Sequence, residues 1–321
     1  MTTRNFSFLF EPRTIALIGA SNRAGSVGAV VARNLFAGGF AGEIWPVNPR
    51  ESSILSHPCY NSVAHLPGAP DLAVIATPPP TIPALIAELG ERGCRAAIVI
   101  TAGLDKDVRQ RMLDAARPHL LRIVGPNCLG VLSPARGVNA SFSHLAPLKG
   151  DIAFLTQSGA IATSIIDWAN GRGVGFSHIL SLGDMSDADF GDLLDYLAFD
   201  ERTKSILMYV ENITQARKFM SAARIAARAK PVIVVKGGRS AAGAKAAASH
   251  TGAMAGADAV YEAAFRRAGM LRVDTLRDLF DAAETLATGM RPRGDRLMIL
   301  TNGGGLGVLA ADALERGGGA L

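Results

Sequence analysis

The chain reads as an α/β protein built on parallel sheets flanked by helices. Three observations predict this. Short apolar runs of strand character alternate with stretches of helical period along most of the chain. Glycine or proline punctuates the strand exits, as at Ala102-Gly103 and Gly125-Pro126-Asn127. A strand, a small-residue loop and a helix start recur at Gly19-Ala20-Ser21, Gln157-Ser158-Gly159 and Asn302-Gly303-Gly304, spaced too far apart for a solenoid repeat. At roughly 150 residues per domain, a length of 321 suggests about two domains, and a hydrophobic fraction of 49% supplies their cores.

In the first half the expected strands are Thr14–Gly19, Glu43–Val47, Asp71–Ala76, Arg95–Thr101 and Leu121–Val124. A helix is expected after each of the first four, although the stretch after Val47 is irregular and contains proline. Ser133 to Gly150, rich in Pro, Gly, Ser and Asn, breaks the rhythm and marks a boundary, giving a first domain over 1–132. The alternation resumes with strands Asp151–Leu155, Ser177–Leu182, Ser205–Val210, Pro231–Val235 and Leu271–Val273. The helix expected over Thr214–Arg228 carries Ala216, Phe219, Met220, Ala223 and Ala227 on one face, and the helix from Leu276 carries Leu279, Phe280, Ala283 and Leu286. These elements make a second domain over 150–290. After the linker Arg291-Pro292-Arg293-Gly294, residues 294–321 offer a strand (Arg296–Thr301), a glycine turn and a helix (Leu306–Glu315). One such unit cannot bury both its faces, so it reads as the opening of a third α/β domain.

Composition excludes several functions. A formal charge of +5, an aromatic fraction of 6% and the lack of a dense Lys/Arg run argue against a nucleic-acid surface. No apolar run approaches the length of a membrane span, and Met1–Pro12 lacks the apolar core of a signal peptide. Cys59, Cys94 and Cys128 form no CxxC pair or even disulfide framework, which suits a reducing cytoplasm.

The loop Gly19-Ala20-Ser21-Asn22-Arg23-Ala24-Gly25-Ser26-Val27-Gly28 follows a strand and opens a helix, whose free N–H groups and partial positive charge attract anions. Its glycines do not follow GxGxxG. The second strand ends in Asn48-Pro49-Arg50, where an NAD site places an acid. Arg23 and Arg50 suit a ligand with additional phosphate, such as NADP or coenzyme A. Thr77-Pro78 and Ile100-Thr101 end neighbouring strands and should border the same crevice. Cys128, in Gly125-Pro126-Asn127-Cys128-Leu129-Gly130, reads as a neutral wall residue more than a nucleophile. Thr156-Gln157-Ser158-Gly159-Ala160 is a second candidate phosphate cradle. Glu211, just past a strand, could accept a proton from an imidazole nitrogen and fix its tautomer. Asp184, Asp187, Asp189, Asp192 and Asp195 read as acids around a helix N-terminus, not as a metal site. His57, His65, His119, His144 and His178 have unremarkable contexts. His250, in Ser249-His250-Thr251-Gly252, follows a run of Gly, Ala and Ser with no bulky apolar residue to bury its ring. It suits a nucleophile that carries a group between two places.

In this order, the Gly-Ala-Ser-Asn-Arg loop, Pro46-Val47-Asn48-Pro49, Gly125 to Gly130, Gln157-Ser158-Gly159-Ala160 and Ser249-His250-Thr251-Gly252 resemble the α-type part of the nucleoside-diphosphate-forming acyl-CoA synthetases, relatives of the succinyl-CoA synthetase α subunit. The likeness covers nearly the whole chain. It is greatest to long bacterial proteins that join the synthetase to an ATP-grasp domain and a GNAT-type N-acetyltransferase, neither of which this sequence shows. It implies a Rossmann-like CoA-binding domain, a flavodoxin-like ligase domain and the start of a second flavodoxin-like one. Gly19, Ser21, Arg23, Ser26 and Val27 would hold CoA phosphates, with Asn48 and Arg50 toward the adenosine end. Thr77, Pro78, Ile100 and Thr101 would line the CoA groove, and Asn127 and Cys128 would lie near the pantetheine thiol. His250 would be phosphorylated and Glu211 would orient it. Gln157, Ser158, Gly159 and Ala160 would cradle the phosphoryl group. The implied partners are CoA or acyl-CoA, inorganic phosphate, and an ATP-grasp domain or subunit holding ATP or ADP with Mg. A fused acetyltransferase and an oligomeric assembly complete that set. The resemblance leaves open the acyl group and the choice of ADP or GDP. The rival reading is a catalytically silent CoA-sensing module that regulates an acetyltransferase, which would not need His250.

Overall fold

The computed structural model describes residues 3–240, 242–243, 245, 257–288 and 294–321, so the His250 expectation lies outside the described residues. The chain forms two compact units, one up to Ala287 and one from Thr288.

The larger unit contains two sheets. The first has the order β2-β1-β5-β6-β7, all parallel: β1 is Thr14–Ile18, β2 Glu43–Val47, β5 Leu72–Ile75, β6 Ala96–Val99 and β7 Arg122–Val124. Burial on both faces explains why these strands read as continuous apolar runs. Helices α2 (Val27–Ala37), α3 (Ile82–Glu91) and α4 (Lys106–Ala116) follow β1, β5 and β6, while the short α1 (Phe6–Phe10) precedes them. No α-helix follows β2. A hairpin of β3 (Ser53–Ile54) and β4 (His57–Pro58) and a single 3-10 turn at Val63–His65 stand there instead. Pro49, Pro58, Pro67 and Pro70 each remove a backbone donor that a helix would need.

The second sheet has the order β14-β13-β12-β10-β11-β8-β9. Strands β10 (Lys149–Thr156), β11 (Phe176–Ser181), β12 (Ser205–Val210), β13 (Val232–Lys236) and β14 (Leu271–Val273) are parallel. Helices α5 (Gly159–Asn170), α6 (Phe190–Leu197), α7 (Ala216–Ala229), α8 (Asp258–Ala268) and α9 (Leu276–Ala287) accompany it. The irregular stretch after Cys128 contributes an antiparallel hairpin, β8 (Gly130–Ser133) and β9 (Val138–Ser141), that joins this sheet through β11. Buried His178 helps hold it there. Its Nδ1 lies 2.8 Å from Ser133 Oγ and its Nε2 3.2 Å from Asp200 Oδ2. Burial opposes ionisation of Asp200, but hydrogen bonds from His178 and Thr203 outweigh it and hold the carboxyl well below its usual range.

The two sheets share a core that includes Leu17, Val74 and Ile98 from the first and Leu155, Leu180 and Met208 from the second. The loop 183–188 is bonded along the end of β7, with Asp184 N–H on Pro126 O (2.9 Å), Ser186 N–H on Gly125 O (3.1 Å) and Ala188 N–H on Ile123 O (3.0 Å). A Cβ on Gly183 would lie 2.2 Å from Pro126 O, so only glycine allows that approach. Asp187 accepts from Arg122 Nε (3.0 Å) and the Ile123 amide (2.8 Å). Asp192 accepts from Arg122 Nη2 (3.1 Å) and Lys218 Nζ (2.7 Å), and Asp189 caps α6. These acids therefore serve the helix start and the junction between the sheets, and their pairing fixes orientation more than it adds stability.

In the smaller unit, α10 (Gly304–Arg316) forms where the sequence places it. The expected strand Arg296–Thr301 does not form, and an isolated bridge pairs Arg296 with Ala320. A strand needs a hydrogen-bonding neighbour along its length; Leu297 N–H reaches Ala320 O at 2.8 Å, and beyond it residues 298–301 pair with no strand among the described residues.

Candidate functional site

Both sheets present the C-terminal ends of their strands to one continuous groove. An outer cleft of about 950 Å³ is lined by Gly19, Ser21, Arg23, Ser26, Val27, Asn48 and Arg50. An inner cleft of about 770 Å³ is lined by Ile100, Thr101, Asn127, Cys128, Gln157, Ser158, Gly159, Ala160 and Glu211. Arg23, Val27, Thr77 and Pro78 line both. Every described site residue expected from sequence thus borders this groove.

The outer end is built around the start of α2. Ser26 caps that helix, accepting from Ala29 N–H at 3.3 Å. A Cβ on Gly28 would lie 1.9 Å from Gly19 O, so the glycine lets helix and strand end meet. Asn48 spends both ends of its carboxamide on local structure. Its Nδ2 donates to Ala20 O (2.6 Å) and its Oδ1 accepts from Arg50 N–H (2.8 Å). An ionised acid at this position could accept but not donate, so it could not clamp both loops. Asn22 ties the loop to the hairpin by bonds to Glu51 Oε2 and Ser53 O, both at 2.9 Å. The Arg23 and Arg50 side chains are exposed and have no partner among the described residues.

The inner end is more tightly bonded. Thr156 Oγ1 accepts from Ser158 N–H and donates to Ser158 O, both at 3.0 Å, and Ser158 Oγ caps α5 by accepting from Ile161 N–H at 3.4 Å. The first-turn N–H groups of α5 have no carbonyl partner within the helix. Buried Gln157 points away from this cradle and fixes the next loop. Its Oε1 accepts from the amides of Glu211 (2.6 Å) and Asn212 (3.0 Å), and its Nε2 donates to Asn212 Oδ1 (2.8 Å). Glu211 is itself buried, and the Tyr209 hydroxyl is hydrogen-bonded to it. Burial and the Glu211 charge push Tyr209 up to about 12, so its hydroxyl stays protonated. Burial likewise pushes the Cys128 thiol up to about 12, which leaves it neutral and poorly nucleophilic.

Between the two ends lies a feature the sequence analysis missed: Arg109 Nη2 donates to Asp184 Oδ2 at 2.7 Å, and Asn127 Nδ2 donates to Asp184 Oδ1 at 3.1 Å. Arg109 lies on a helix of polar character and Asp184 far along the chain, so no local pattern links them. Among the described residues no cluster of His, Cys, Asp or Glu is arranged to hold a metal ion, and no helix is long and apolar enough to cross a membrane.

Residues 13–134 match the model of a CoA binding domain, and residues 149–286 that of a succinyl-CoA ligase like flavodoxin domain. The α subunit of an ADP-forming acetate–CoA ligase from Pyrococcus furiosus is 40% identical over 320 residues, covering 97% of this chain and 69% of that protein. An ADP-forming acetate–CoA ligase from Archaeoglobus fulgidus is 43% identical over 97% of this chain, which spans 46% of that relative. A solved acetyl-coenzyme A synthetase from Candidatus Korarchaeum cryptofilum, in complex with phosphate and ADP, superposes with a TM-score of 0.94 at 36% identity, over 98% of this chain and 69% of that one. The chain belongs to the ADP-forming acetate–CoA ligase family, to the portion that its α subunits represent.

Proposed function

We propose that this chain is the CoA-binding and phosphohistidine-carrying part of an ADP-forming acyl-CoA synthetase. Residues 1–132 would bind CoA, 150–290 would carry the ligase chemistry and 294–321 would open a second flavodoxin-like domain. The carrying observation is the groove that joins two guanidiniums without a partner among the described residues, Arg23 and Arg50, to the N-terminus of α5 beside Glu211. CoA phosphates fit the cationic end, and Asn127 and Cys128 fit the thiol end. Free phosphate then attacks the thioester carbonyl from the α5 cradle. The C–S bond breaks, and acyl phosphate and CoA form. His250 takes the phosphoryl group and releases the carboxylate, and Glu211 accepts the imidazole's other N–H. An ATP-grasp domain or subunit, holding Mg and ADP, receives the phosphoryl group to give ATP. Helix N-termini suit this chemistry, because phosphoryl transfer is mainly positioning and charge stabilisation. Three free cysteines suit a cytoplasmic protein, and oligomeric assembly and fusion to an acetyltransferase belong to the same proposal.

The test is phosphohistidine formation by the chain together with an ATP-grasp partner subunit. Acetyl-CoA and radiolabelled phosphate should give acid-labile label that His250→Ala abolishes. Label that survives His250→Ala would refute the relay. No label with CoA bound would favour the sensor.

A further inference from the structure

The inner cleft contains a charged pair that the reaction proposed above does not use. Arg109, on α4 beside the first sheet, and Asp184, in the loop after β11 of the second, meet in its wall, with Asn127 completing the cluster. Their side chains are 37% and 22% exposed, so a ligand in the cleft can reach them. Arg109 gives Asp184 one of the five N–H bonds of a guanidinium. Its Nε is buried and out of a ligand's reach, which leaves the terminal Nη groups as its donors, and the side-chain carbonyl of Asn127 accepts no hydrogen bond among the described residues.

The balance of charge decides what fits. Arg23 and Arg50 form no ion pair among the described residues and suit phosphate. Arg109 is already neutralised by a carboxylate 2.7 Å away, which would repel a second anion. The cluster instead offers donors from Arg109 and acceptors from Asp184 and Asn127. A hydroxyl satisfies both kinds at once, accepting from the guanidinium and donating to a carboxylate or carboxamide oxygen. A plain alkyl group would lie against these polar atoms and displace their water without replacing its hydrogen bonds. Asn127 adjoins Cys128, so the cluster lies where an acyl group on the thiol would extend.

We propose that Arg109, Asp184 and Asn127 form an acyl-selecting subsite for short acyl groups that carry a hydroxyl close to the thioester carbonyl. This rests on the CoA reading above. The pair also explains why α4 carries a partly buried arginine in its second turn, where an amphipathic helix would otherwise place an apolar or fully exposed residue.

The experiment is calorimetric titration of the chain with two matched pairs, lactoyl-CoA against propionyl-CoA and 3-hydroxybutyryl-CoA against butyryl-CoA, with free CoA as reference. Each hydroxylated thioester should bind about tenfold more tightly than its alkyl partner, a modest ratio because water replaces part of the lost bonding in a partly exposed site. Arg109→Met and Asp184→Leu should each bring that ratio close to one and leave free CoA affinity unchanged. Asp184→Leu nearly keeps the side-chain shape while removing the acceptor, and carries the test if Arg109→Met does not fold. A ratio of one in the unmodified chain overturns the proposal. So does an equal loss for CoA and every thioester, which would make the cluster a pantetheine contact. Failure of free CoA itself to bind would refute the CoA reading, and the subsite with it.

Discussion

The two helix starts that face the groove use one device for different ends. At α2 the loop is open, and its guanidiniums at Arg23 and nearby Arg50 have no partner among the described residues. At α5 the neighbouring side chains are committed, Thr156 to the Ser158 backbone and Gln157 to the Glu211 amide and the Asn212 side chain, and no cation is among them. The first arrangement would grip a multiply charged ligand by Coulomb attraction and tolerate motion. The second holds polar groups in one geometry, which a reacting phosphoryl group requires. A shared strand–loop–helix unit therefore does not imply a shared role. The partners of the side chains distinguish a grip from a cradle.

The sharpest way to break this comparison is through the glycines at each start. Gly28→Ala should destabilise the chain by about 3 kcal/mol or more, because its Cβ meets backbone. Gly159→Ala meets Leu129 Cβ at 3.3 Å and its backbone no closer than 3.7 Å, and should cost less than about 1 kcal/mol. Urea denaturation measures both, and equal costs would mean that the two starts are equally constrained. Gln157→Ala comes next. It leaves two amides and a carboxamide without their partner, so a loss of about 2–3 kcal/mol is expected in the same assay.

Arg23→Ala and Arg50→Ala should show the reverse pattern. Stability should stay within about 0.5 kcal/mol, as for other surface substitutions. CoA affinity should fall about tenfold for each, with a weaker dependence on salt, in calorimetry at two ionic strengths. A fall in thermal stability with unchanged CoA affinity would show that these arginines are structural. The smallest effects belong to the caps. Ser26→Ala and Ser158→Ala should each cost about 1 kcal/mol. Ser158→Ala alone should also slow phosphohistidine labelling, since in the proposed relay only the α5 cradle would hold the reacting group.

Much of the fold is legible locally. Buried strands such as β5 and β12 announce themselves as apolar runs, and the starts of α2 and α5 are marked by small residues and serine caps. The site residues in those loops are legible for the same reason: anion-binding geometry is written within about ten residues. The β8–β9 hairpin is not. Its Gly-, Pro- and Ser-rich surroundings read as a linker, and it is fixed by the pairing of β8 with β11 far along the chain. His178 looks idle in sequence and becomes a buried tie only because Ser133 and Asp200 converge on it.

The sequence by itself determined the alternation of strands and helices, the loops able to receive anions, and the family, because each rests on short-range pattern or on ordered motifs. Only the tertiary structure decided that Asn48 and Gln157 spend their carboxamides on neighbouring loops, that the acids from Asp184 to Asp192 join two sheets, and that Arg109 faces the cleft. Each of these depends on a partner set by packing. A side chain's chemistry is fixed by its residue type, but what remains available to a ligand depends on which neighbours have already taken its hydrogen bonds.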